Sequence, residues 1–268
     1  MGFLTEIVER TRKELLERPL DEGHLWMRTR ALPPARDLEA ALRAPGVSIV
    51  AEVKRASPWA GEISDRDPGD QAAAYERGGA AAISVLTEPR HFGGSLLDLR
   101  AARRRTTVPI VRRDVIVHPA QVLQARAEGA DAVLLIAAAL SGAELEALLA
   151  TATDVGMQAL VEATGEEDLD RAVRSGARLI GVSARDLETL DVDLERALRL
   201  ARRLPEGRVV VVGSGISTRA DVERAEEAGA GAVVVGEALM RSPDPTRAIS
   251  RLRGTLAAVP GAPDADGR

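Results

Sequence analysis

Four segments of the chain share one pattern, a Gly-Ala pair followed at once by an apolar run rich in β-branched residues. Gly79-Ala80 leads into Ala82-Ile83-Ser84-Val85-Leu86, and Gly129-Ala130 into Ala132-Val133-Leu134-Leu135-Ile136. Gly176-Ala177 leads into Leu179-Ile180-Gly181-Val182, and Gly229-Ala230 into Ala232-Val233-Val234-Val235-Gly236. Each glycine follows an Ala/Glu/Arg-rich stretch of helical period and reads as the left-handed residue that closes it. Each apolar run reads as a strand buried on both faces. Four further runs fall between them: Val47–Lys54, Val108–Arg113, Met157–Glu162 and Arg208–Gly213. The intervening stretches, such as Ala143–Ala152 and Ala220–Ala228, carry helical periodicity. Strands alternating with helices predict a parallel sheet. The competing arrangement is a doubly wound open sheet. About eight β-α units without a dinucleotide-binding turn favour closure into a (β/α)8 barrel, the TIM-barrel class, with chemistry at the C-terminal ends of the strands.

Residues 1–45 precede the first strand and predict an N-terminal helical extension of two helices, Phe3–Glu17 and Ala35–Arg43, broken by Pro33-Pro34. Its expected role is to cover one end of the barrel, which spans 46–253. The stretch 254–268, with Pro260, Gly261, Pro263, Asp264 and Asp266, predicts a disordered tail.

Composition narrows the function. At 268 residues and 45% hydrophobic, the chain can bury one large core, and with 2% aromatic residues that core must be aliphatic. The net charge is −5 with both signs interspersed, which argues against a nucleic-acid partner. Arg103-Arg104-Arg105 reads as a solvated helix end. No cysteine is present, which removes disulfides, a thiolate nucleophile and Cys-ligated metal. The stretch Phe3–Arg18 is charged and amphipathic, not a signal peptide, and no apolar run is long enough to span a membrane, so the expectation is a cytoplasmic protein without a membrane partner.

The polar residues at the predicted strand exits form a short list. Strand one ends in Glu52 and Lys54 with Ser57 just beyond, strand two in Thr87-Glu88, strand three in Arg113-Asp114 and strand five in Glu162. Strand six ends in Ser183 and Arg185, strand seven in Ser214-Gly215 and strand eight in Gly236-Glu237. Glu52 and Lys54 are two apart and share a face. They are either an ion pair between barrel layers or a working pair at the mouth, since buried charge is costly. The turns after strands seven and eight carry small residues followed by helices, and amides there can approach an anion. That position is the standard phosphate site of this fold, so a phosphorylated small-molecule substrate is expected.

At these residues the chain resembles the indole-3-glycerol phosphate synthase family. The resemblance is carried by Ile49–Pro58, Ile83–Pro89, Phe92–Leu99, Glu128–Ile136, Leu160–Glu162, Arg185–Leu187, Ser214–Ser217 and Val235–Met240, in order and with matching spacing from about residue 3 to 253. It implies a cofactor-free lyase of tryptophan biosynthesis. Such an enzyme closes the indole ring of 1-(2-carboxyphenylamino)-1-deoxyribulose 5-phosphate with loss of CO2 and water. Carried over by position, Lys54 and Glu162 match the acid and base, with Glu52 tuning the lysine. Ser57 and Arg185 match positions that hold the anthranilate portion, and Ser214, Gly215, Gly236 and Glu237 match the phosphate site.

The departures from the family pattern gather at the predicted mouth. Arg112-Arg113-Asp114-Val115 stands where Arg-Lys-Asp-Phe is usual, so Arg113 replaces the lysine generally assigned as general acid for ring closure. Arginine can stabilise an alkoxide but is a very poor proton donor. Ser183 stands where Asn is usual, Gly213 where Glu is usual, Ala120 where Tyr is usual, and Trp59 where a small residue is usual. Three readings stay open at this stage: a synthase, a re-tasked paralogue acting on a related phosphorylated ketose or aryl-amine, and a catalytically silent relative that binds a phosphorylated ligand. His24, His91 and His118 lack metal-ligand spacing, so no metal is expected. His118, just after strand three, is either an exposed loop residue or a substitute acid.

Overall fold

The structure, a computed structural model, describes residues 2–255. Eight parallel strands close into a barrel in sequential order: β1 (Ser48–Val53), β2 (Ala82–Leu86), β3 (Ile110–Arg113), β4 (Ala132–Ile136), β5 (Gln158–Ala163), β6 (Leu179–Ser183), β7 (Val209–Gly213) and β8 (Ala232–Val235). β8 closes on β1 with Ala51 opposite Val235, while Ala51 faces Ile83 of β2 on its other side. The strands are buried along nearly their whole length, as their continuous apolar runs require. Gly79, Gly129, Gly176 and Gly229 all sit at positive φ between 80° and 99°, ending the preceding helices in the left-handed region. The predicted disordered tail lies outside the described residues from 256 onward.

The N-terminal segment forms three helices where the sequence predicted two: α1 (Phe3–Glu17), α2 (Glu22–Arg30) and α3 (Leu38–Leu42). Helix α2 has little apolar periodicity, burying only Leu25 and Thr29, and depends on partners remote in sequence. Asp21 caps it by accepting from the His24 amide, and Arg28 docks it on Glu128 and on the carbonyl of Ala127. The segment also serves both ends of the barrel. Phe3, Leu4 and Ile7 of α1 pack over the strand exits, and the Leu4 amide donates to the Leu187 carbonyl. Below the strand starts, Arg36 bonds to Asp131 and to the carbonyls of Thr106 and Val108, while Glu39 of α3 pairs with Arg178.

The outer layer comprises α4 (Pro68–Arg77), the short α5 (Pro89–Phe92), α6 (Leu96–Arg105), α7 (Pro119–Ala127), α8 (Gly142–Asp154), α9 (Glu166–Arg174), α10 (Leu194–Ala201), α11 (Arg219–Glu227), α12 (Glu237–Arg241) and α13 (Pro245–Leu252). The end of α6 corrects the solvated-face reading of the Arg103–Arg105 run. Arg103 turns inward to pair with Asp131 and to donate to the carbonyls of Thr106 and Val108, while Arg104 and Arg105 stay exposed. Among the described residues no helix is long and apolar enough to cross a membrane. A two-stranded hairpin, Ala56–Ser57 against Gly61–Glu62, follows β1 and was not predicted.

Candidate active site

At the C-terminal end of the barrel lies a cavity of about 390 Å³, and a smaller apolar chamber adjoins it through shared walls of Leu86, Phe92, Arg113 and Leu187. The alternation of β1 turns Glu52 and Lys54 inward together, and Lys54 Nζ stands 3.0 Å from Glu52 Oε1. Arg113, at the exit of β3, extends the pair. Its Nε is 3.3 Å from Glu52 Oε2, and its Nη2 donates to both oxygens of Glu162 at 3.2 and 3.0 Å. Four side chains from three strands thus form a line of alternating charge: Lys54, Glu52, Arg113, Glu162.

Burial by itself would raise the Glu52 carboxyl. The Lys54 ammonium and the Arg113 guanidinium outweigh it and hold the group below the ordinary carboxylate range. For Arg113, burial pulls the other way, but Glu162 and Glu52 keep the guanidinium charged more firmly than usual. Gly236, at the exit of β8, lets this cluster form, since a β-carbon there would lie 2.5 Å from Glu52 Oε1. Adjacent Arg112 points the opposite way, toward α7, where it bonds Thr87, Asp114 and Gln124. Its tasks are structural.

The turns after β7 and β8 form the opposite wall. Ser214 and Gly215 follow one another in the left-handed region, at φ 64° and 72°. The serine therefore carries strain of about 1 kcal/mol or more. The amides of Gly215, Ile216, Glu237 and Ala238 find no partner among the described residues, and the start of α12 has no side-chain cap. Glu237 pairs at 3.0 Å with Arg241, which lines the same wall and which sequence reasoning missed.

Of the residues expected at the site, Glu52, Lys54, Arg113, Arg185, Ser214, Gly215, Gly236 and Glu237 line the main cavity, and Glu162 lines the apolar chamber. Two others face neither space. Ser57 is buried in the hairpin, where its Oγ accepts from the Ala60 amide. Ser183 is buried behind Arg185, accepting from its amide and donating to its carbonyl.

The departures divide likewise. Val115 lines the apolar chamber, and Gly213 and Trp59 line the cavity, but Ala120 is not at the mouth. It lies on α7 beneath an outer groove beside Leu15, Leu16 and His118. His118 is the N-cap of α7, its Nδ1 accepting from the Ala120 amide, and its side chain is half exposed in that groove. It is not a substitute acid.

A sequence profile of the family described as indole-3-glycerol phosphate synthase matches residues 4–252. The chain belongs to this family. It is 47% identical over 257 residues to the indole-3-glycerol phosphate synthase of Saccharopolyspora erythraea, covering 94% of this chain and 95% of that one. The same enzyme of Mycolicibacterium gilvum is 47% identical, covering 93% of each chain. Among solved structures, thiamine phosphate pyrophosphorylase from Pyrococcus furiosus superposes with a TM-score of 0.60 at 19% identity, covering 80% of this chain and 96% of that one. At that identity the likeness speaks to the fold alone.

Proposed function

We propose that this chain is a carboxy-lyase of the indole-3-glycerol phosphate synthase type, closing the indole ring of 1-(2-carboxyphenylamino)-1-deoxyribulose 5-phosphate, with Lys54 and Glu162 as its acid and base. The observation that carries the reading is the line Lys54–Glu52–Arg113–Glu162 at the strand exits, set between unpartnered loop amides and an apolar chamber. Such a site suits a substrate with a phosphate at one end and an aryl ring at the other.

Ring closure joins the carboxylate-bearing ring carbon to the ketose carbonyl carbon, and the carbonyl oxygen gathers negative charge. Arg113 faces that charge as a fixed cation and Lys54 delivers the proton, because a guanidinium is a very poor acid. The ring carboxylate then leaves as CO2 and its electron pair restores aromaticity. In the last step Glu162 takes a proton from the adjacent methylene, and the hydroxyl departs as water after a second protonation. One of the two protons taken up by oxygen comes from the methylene and the other from solvent. Phosphate is held by the amides of Gly215, Ile216, Glu237 and Ala238 with Arg241 nearby.

The deciding experiment incubates purified protein with the carboxyphenylamino-deoxyribulose phosphate while following indole fluorescence and CO2 release. Both signals should rise together in equal amounts. Binding without either product would mark a silent relative and sink the lyase reading.

A further inference from the structure

Trp59 stands at the tip of the hairpin after β1, on a stiff mount. The Ser57 hydroxyl accepts the Ala60 amide at 3.2 Å, the amides of Ile63 and Ser64 both donate to the Arg55 carbonyl, and Arg55 pairs with Asp98. The indole reaches two cations of the mouth, Arg185 and the Glu52-paired Lys54. The Arg185 guanidinium lies 3.6 Å from its ring centroid and Lys54 Nζ 5.3 Å, while Phe92 meets it edge-on at 5.9 Å.

Arg185 is unusually provided for. Among the described residues no carboxylate lies within 4.0 Å of it and its buried Nε has no partner, while Nη1 donates to the Leu190 carbonyl at 2.5 Å. Leu190 accepts this bond from a left-handed conformation, φ 69°. A guanidinium partly withdrawn from water without an anion in contact is costly, and a ring face offsets part of that cost. The ring does so without neutralising the charge. An internal carboxylate would hold Arg185 equally well, but an incoming anion would have to displace it.

We propose that Trp59 is a positioning residue that sets the aryl-acid specificity of this site, its indole face holding Arg185 in the cavity as a cation with no carboxylate in contact, open to the carboxylate on the substrate's ring. The inference rests on the functional reading above. The same stack steadies the segment 186–192 through the Leu190 carbonyl. That segment carries Leu187 and Val192 into the cavity, and its Glu188 accepts from Thr5 of α1.

The test compares full-length wild type, Trp59→Ser and Trp59→Phe by calorimetry with two unreactive ligands, 1-(2-carboxyphenylamino)-1-deoxypentitol 5-phosphate and its phenylamino counterpart without the carboxylate. Trp59→Ser should weaken the carboxylated ligand by about 3–30-fold, the range of a partly desolvated cation–π contact, and leave the other ligand unchanged. Trp59→Phe should recover most of the loss. In turnover the same variants should raise KM and spare kcat. Equal weakening of both ligands, or no weakening, overturns the role of Trp59 while the lyase reading stands; a wild type that binds neither ligand overturns both. Without any ligand, amide exchange at Leu190 and Asp193 should quicken in Trp59→Ser, and unchanged exchange would count against the stack as a brace.

Discussion

Arg113 Nη2 donates to both carboxylate oxygens of Glu162, at 3.2 and 3.0 Å, across 49 residues of sequence and from two strands that are not neighbours in the barrel. A lysine in that place would offer one ammonium that can release its proton. Arg113→Lys should therefore add a titrating donor and raise kcat for ring closure, with a ceiling of about 10²–10⁴-fold, the usual worth of a general acid. An unchanged rate in single-turnover experiments would remove Arg113 from the chemistry.

Glu162→Gln keeps the shape of the side chain and removes the base. Turnover should drop by about 10²–10⁴-fold with substrate affinity largely kept. A steady-state comparison in which only KM moved would assign Glu162 to binding instead.

Gly236 and Glu52 make a prediction about packing. A methyl group on Gly236 would stand 2.5 Å from Glu52 Oε1, so Gly236→Ala must displace the carboxylate from Lys54 or shift the strand exit. Overpacking of this kind costs about 1–3 kcal/mol. Urea unfolding should register that loss together with a lower kcat, and an alanine variant equal to wild type in both would contradict the packing described.

Gly215 bears on phosphate binding. It sits at φ 72°, and a β-carbon there would meet Val192 Cγ1 at 3.0 Å. Gly215→Val should strain the turn, turn its amide away and raise the Kd for phosphorylated ligands. Inorganic phosphate binding identical in the two proteins would place the phosphate elsewhere.

The pH prediction concerns Glu144 at the start of α8. Arg12 of α1 and the amide and hydroxyl of Ser141 hold its carboxyl down to about 2. A carboxyl depressed in the folded state stabilises above its unfolded value, here 4.5, and loses that contribution as pH falls through about 2. Glu144→Gln should thus cost about 1 kcal/mol at pH 7, the scale of a helix cap and an exposed ion pair. The gap between variant and wild type should narrow below pH 4.5, and a gap independent of pH between 7 and 3 would refute the assignment.

The repeating strand and helix pattern, the glycines that end four helices, and the polar residues at the strand exits are all legible in the order of the amino acids. These are local matters: a period of two or near 3.6, and a left-handed residue, are written in adjacent positions. Tertiary structure alone decided which way those polar residues turn. Arg112 and Arg113 are neighbours, yet one packs against α7 and the other joins Glu52 to Glu162. Ser57 was expected to face a substrate and instead pins the hairpin that carries Trp59, while Ala120 and His118 line an outer groove away from the mouth. Helix α2 escaped the sequence because its support comes from Glu128, 100 residues away from Arg28. The line Lys54–Glu52–Arg113–Glu162 exists only because closing the barrel brings the ends of β1, β3 and β5 around one space, and no local pattern records such a distance.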